Sequence, residues 1–122
     1  MPLLADIAVL FVAALHVVIG SVEMFLWQRP KVYTRLEQFG FTQTEASKVA
    51  PIVANAGLYN LFVAAGLAWS VATSNPPSSL FFLGFVAIAG IYGAATLKRS
   101  TLVLQTLPAA LAVLAVWAAR TS

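Results

Sequence analysis

Four long apolar stretches divide the chain: Leu3 to Trp27, Val49 to Ala72, Leu80 to Leu97 and Leu102 to Ala119. A helix needs about 20 apolar residues to cross a bilayer, so each stretch is long enough or nearly so. The pattern predicts an all-α polytopic membrane protein. Short connections between the last three spans favour an up-down-up-down, four-helix antiparallel transmembrane bundle. The first run lacks a basic leader and exceeds a 7–15-residue signal core, so it is read as a retained span.

The connections are polar, and each has its own signals. Residues 28–48 form the one sizeable polar stretch. Pro30 suits a first helical turn and Gly40 a helix stop. Between them Val32, Leu36 and Phe39 recur at i, i+4 and i+7, with Lys31, Arg35 and Glu37 elsewhere. This predicts a short interfacial amphipathic helix, the plainer alternative being an irregular basic loop. Thr42-Gln43-Thr44-Glu45 matches a capping box, so the second helix is expected to begin there. Pro51 is expected to kink it near the membrane surface. TSNPPSS forms a tight uncharged turn, and Lys98-Arg99-Ser100-Thr101 a very short one.

Composition supports the membrane reading. Of 122 residues, 61% are hydrophobic and only 9% charged, against about 25% charged in a soluble domain. Mean hydropathy is +0.90. No cysteine is present, which removes disulfides, thiolate metal sites and cysteine nucleophiles. The single histidine excludes a histidine-rich metal site, and a His/Glu pair is too few ligands for zinc. No metal and no cofactor is expected. No phosphate-cradling loop, nucleophile elbow or nucleic-acid module is present, so no nucleic-acid partner is expected.

The placement of charge orients the chain. Arg29, Lys31, Arg35, Lys48, Lys98 and Arg99 lie in or beside the first and third connections, and Arg120 alone lies at the other side. The positive-inside rule puts those connections in the cytoplasm and both termini outside. The basic first connection can also attract anionic lipid headgroups.

Three ionisable groups interrupt the first span: Asp6, His16 and Glu23. Asp6 lies near one end and can reach the interface. His16 and Glu23 are seven residues apart, so they project within about 20° of each other, with Gly20 and Trp27 on the same stripe. A charge at bilayer depth costs at least about 2–3 kcal/mol unless paired, hydrated or protonated. That stripe should therefore face the interior or a cavity. The other spans carry polar groups at similar depth: Asn55, Tyr59 and Asn60, then Tyr92 and Thr96 with Arg99 at the mouth, then Gln105. Asn55 and Tyr59 share a face with Phe62, Gly66 and Trp69. Asn60 points away from it, towards another helix contact or a dimer interface.

These residues predict a polar pocket open to the cytoplasm, lined by His16, Glu23, Asn55, Tyr59, Tyr92, Thr96 and Gln105. Arg99 is the expected counter-charge for Glu23. The alternative is a set of interhelical hydrogen bonds that serve packing alone, worth about 0.6 kcal/mol each on average. Trp27, Tyr33, Trp69 and Trp117 suit interface anchors. Small residues are dense: Ala56, Gly57, Ala64, Ala65 and Gly66, then Gly84, Ala89, Gly90, Gly93 and Ala94, then Ala109, Ala110, Ala112 and Ala115. They are expected to let helices approach closely. Ala56-Gly57-Leu58-Tyr59 echoes Ala89-Gly90-Ile91-Tyr92, a short pattern that chance can also produce.

ALHVVIGSVEMFLW, NAGLYNLFVAAGLAW, AGIYGAATLKRS and LQTLPAALAVL together resemble the signature stretches of a small bacterial integral membrane family, domain of unknown function 1304. The resemblance covers nearly the whole chain. Its motifs fall here on His16, Glu23, Asn55, Tyr59, Asn60, Tyr92, Thr96, Arg99, Gln105 and Pro108. It implies a four-helix membrane protein and no particular activity.

Three functions fit this pattern. One is binding or transport of a small molecule, with Glu23 alternating between proton and substrate. Size and helix count are similar to small multidrug-resistance transporters, although the local motifs differ. A unit this small would need a homodimer to enclose a pathway. A second is an intramembrane enzyme on a lipid-soluble substrate, an isomerase or hydratase with Glu23 in acid–base work and His16 or Tyr92 as proton partner. A third is an accessory subunit of a larger membrane complex.

Overall fold

A computed structural model of the protein describes residues 2–29, 32, 42–96 and 102–121. Four helices are long and apolar enough to cross a membrane: α1, Leu3–Leu26; α2, Gln43–Ala72; α3, Pro76–Thr96; and α4, Leu102–Arg120. No strand occurs among the described residues. The expected amphipathic helix between α1 and α2 lies outside them.

The helix ends follow from local chemistry. Thr42 caps α2: the Glu45 N–H donates to Thr42 Oγ1, and that hydroxyl donates to Glu45 Oε1, both at 3.1 Å. The capping box is thus closed hydroxyl to carboxylate, and α2 starts at Gln43, well before its apolar run. Pro51 lies inside α2, where its missing N–H costs the helix one bond. At the far end Asn75 N–H donates to Ser70 O and Ser74 N–H to Val71 O. This is a Schellman stop with Ser74 left-handed at φ 50°. Asn75 then caps α3 by accepting the Ser78 N–H at 3.2 Å, with Pro76 and Pro77 in the first turn. The third helix therefore starts four residues before the apolar run at Leu80, because the cap and two prolines outweigh apolar content.

Two helices change winding. Val22–Leu26, the last turn of α1, and Leu102–Thr106, the first turn of α4, are π-helical. Each holds one of the polar residues singled out above, Glu23 and Gln105. Such turns are rare and occur often at functional sites.

The chain divides into two compact units. The first, Met1–Leu15 with Val63–Ser122, has an apolar core from all four helices. Ala5, Val9, Val12 and Ala13 come from α1; Ala64 and Leu67 from α2; Leu83 and Val86 from α3; Ala109, Ala112 and Val116 from α4. The spacings of three and four are those of one helical face. Ala64, Ala109 and Ala112 are buried as expected of small residues. Ala56, Ala65, Ala89 and Ala110 are exposed, and nothing lies near the open side of Gly84. Small size alone does not mark a contact; position on the face does. One buried polar pair crosses this core: Ser70 Oγ donates to Leu67 O and also meets Ser79 Oγ, each at 2.7 Å.

The second unit, His16–Phe62, joins the end of α1 to the start of α2. Gly20 lies against Gly57 and Leu61, and Gly57 against Glu23 and Met24. At the connection end, Trp27 Nε1 donates to Ala46 O at 2.9 Å.

Candidate functional site

The site is built in the second unit. Its stripe on α1 is the expected one: His16, Gly20, Glu23 and Trp27. His16 is buried at 2% exposure. Gly20 and Gly57 are the point of closest approach, since a methyl on Gly20 would stand 2.7 Å from Gly57 O. One turn along each helix from those glycines stand Glu23 and Asn60. Asn60 Nδ2 donates to Glu23 Oε1 at 2.5 Å. The half-buried Glu23 side chain thus has a named donor.

That donor was not the one anticipated. Arg99, the expected counter-charge, lies outside the described residues. Asn60, assigned to some other helix contact, makes its contact with Glu23. The spacing from the glycines did not mark it: Gly20 also meets Leu61 and Gly57 also meets Met24, so the two segments run in opposite directions and Glu23 and Asn60 flank the close approach from opposite sides.

The remaining candidates are placed as follows. Asn55 and Tyr59 lie on the exposed side of α2, with Tyr59 edge-on to Phe62 at 6.1 Å between ring centres. Tyr92 and Thr96 are exposed on α3, and the Thr96 hydroxyl donates to Tyr92 O within its own helix at 2.8 Å. Gln105 is half-buried in the π-helical turn of α4 beside Gly90. Its neighbour Thr106, which sequence did not single out, donates from Oγ1 to Ala87 O at 3.0 Å. Ser79 was also missed. Asp6 has one carboxylate oxygen buried with no partner among the described residues.

Within the first unit a groove of about 500 Å³ runs between α1 and α4, lined by residues such as Ile7, Phe11, Leu15, Leu104 and Leu107. Its lining side chains offer no hydrogen bond, so it is suited to hydrocarbon and not to a polar ligand. No group of three His, Cys, Asp or Glu converges among the described residues. The donor set for a metal ion is therefore lacking there.

Residues 10–117 match the family described as a protein of unknown function, DUF1304. The chain belongs to that family. No curated protein and no solved structure matches it. Membership of DUF1304 fits the four apolar helices and leaves the activity to be argued from the site itself.

Proposed function

We propose that this DUF1304 protein binds a small molecule within the membrane, as part of its carriage or sensing, through the Glu23 carboxylate. The single observation behind this reading is the Glu23–Asn60 hydrogen bond on a π-helical turn. An ionised carboxylate has about four lone-pair directions, and Asn60 fills one. The rest suit a ligand with a positive charge or strong donors. A simple packing role needs no charge, because an amide–amide pair would join α1 to α2 without the cost of desolvating an acid.

The same reading sets the protein in a bacterial inner membrane as an antiparallel bundle. Both termini lie outside, and Glu23 lies about one turn from the cytoplasmic end of α1. Entry is from the cytoplasm, where six of the seven Lys and Arg residues gather.

Native mass spectrometry of the protein in mild detergent, wild type beside Glu23→Gln, tests the proposal. A bound species in the wild type that is lost in the variant, with thermal stability of both retained, supports it. An empty protein in both samples would sink the reading and leave Glu23 a packing residue.

A further inference from the structure

The groove between α1 and α4 lies wholly within the first unit, and its lining side chains are all apolar. Ala8 and Pro108 are half-buried members of that lining, while Leu4, Ile7, Leu107 and Leu111 are each more than half exposed. The groove therefore has a low centre between tall rims. Ala8 also packs against the buried core, which closes the groove from below. Both helices are long and apolar enough to cross a membrane. A trough with a floor and two walls touches its contents on three sides, and dispersion contacts grow with the number of atoms touched.

The dimensions of the groove select its occupant. Leu4 and Leu15 mark its reach along α1, and eleven residues at about 1.5 Å each make roughly 16 Å. A volume of about 500 Å³ spread over that length leaves a channel roughly 6 Å across. A helix with its side chains measures about 10–12 Å across, so a span of another protein or of a second copy is too wide to enter. An extended peptide is narrower but carries N–H and C=O groups, which the lining side chains cannot pair. Carbon atoms pack at about 3.5–4.0 Å, so a single unbranched hydrocarbon chain fits the width and brings no polar group with it. The rims agree with this. Leucine and isoleucine hold a second backbone at a distance, whereas helices in lipid associate through small residues. We infer that the α1–α4 groove holds one acyl chain of a membrane phospholipid, kept in place while bulk lipid exchanges around the other faces. The inference is independent of what Glu23 binds.

Retention through delipidation is the test. The full-length protein is reconstituted in vesicles of palmitoyl-oleoyl phosphatidylcholine, extracted into mild detergent, washed in detergent and weighed by native mass spectrometry. One phosphatidylcholine per wild-type chain is expected. Ala8→Phe fills the groove at its centre and should lower that occupancy about tenfold. Leu107→Ala lowers an exposed rim without crowding the core and should also reduce it, so the test stands even where Ala8→Phe fails to fold; thermal unfolding shows which variants keep the bundle. Leu114→Phe, at an exposed position of α4 outside the groove, should leave occupancy unchanged. Glu23→Gln should leave it unchanged too, which separates this result from the test of the carboxylate. A wild-type protein washed free of lipid would overturn the proposal. So would equal occupancy in wild type, Ala8→Phe and Leu107→Ala, or a stoichiometric protein adduct in place of the lipid.

Discussion

Gly20 and Gly57 stand back to back, so close that a methyl on Gly57 would lie 2.8 Å from the carbonyl oxygen of Gly20. That oxygen is backbone and cannot swing aside, and the Glu23 Cβ and Met24 Cγ crowd the same spot. A side chain at either position must push the two helices apart, and Glu23 and Asn60 flank that point.

Gly57→Leu should therefore lower stability by about 1–3 kcal/mol, the usual cost of overpacking. It should also lengthen the Glu23–Asn60 distance. Thermal unfolding in detergent measures the first. A second effect follows at Trp27, whose bond to Ala46 O anchors the same pair of segments. Its fluorescence should shift in the variant; an unchanged Trp27 environment would show that the helices never met at the glycines.

Asn60→Leu removes the donor and leaves the carboxylate of Glu23 facing an apolar group. Hydrogen bonds to charged groups contribute about 1.5–3 kcal/mol, and the loss should fall in that range. The double variant Glu23→Gln with Asn60→Leu should be less damaged than the sum of the single changes, because an amide tolerates the apolar neighbour better than an acid does. Strict additivity in the double-mutant cycle would show that the two side chains do not interact.

Ser74 is the one non-glycine residue at positive φ among the described residues. The left-handed region costs an L-residue roughly 1 kcal/mol, which glycine avoids. Ser74→Gly should raise the melting temperature slightly, and Ser74→Val should lower it. The pair of variants gives opposite signs from one site, so a common sign for both would contradict the Schellman stop.

Gly90 sits under Thr106, whose hydroxyl and backbone N occupy the space a methyl would need. Gly90→Ala should destabilise the α3–α4 pair more than Thr106→Val does. The first creates a clash with backbone; the second removes a single hydrogen bond to Ala87 O, about 1 kcal/mol. Equal losses, read by chemical denaturation, would mean that the close approach does not exist.

The stripe on α1 was legible because His16, Gly20 and Glu23 are spaced by four and three, and only Glu23 falls in the π-helical turn. Asn60 was harder to assign. Its phase relative to Asn55 could be read, yet which helix it met could not, since rotation of α2 about its axis is set by the packing of Gly57 on Gly20. Thr106 and Ser79 gave no signal at all. A hydroxyl in an apolar run looks like any small residue until its acceptor, here Ala87 O or Ser70 Oγ, is brought near.

The amino-acid sequence alone determined the four apolar helices and the capping box at Thr42. These depend on composition, on residues within one turn of each other and on a rise per residue common to all helices. The tertiary structure decided that Glu23 meets Asn60, that the space beside the Gly84 Cα is open while that beside Gly90 is filled, and that Asn55 and Tyr59 are left exposed. In a medium as apolar as the side chains, burial exerts little pull towards any one face. Steric fit at a few small residues chooses the rotation of each helix, and fit exists only between surfaces already brought together.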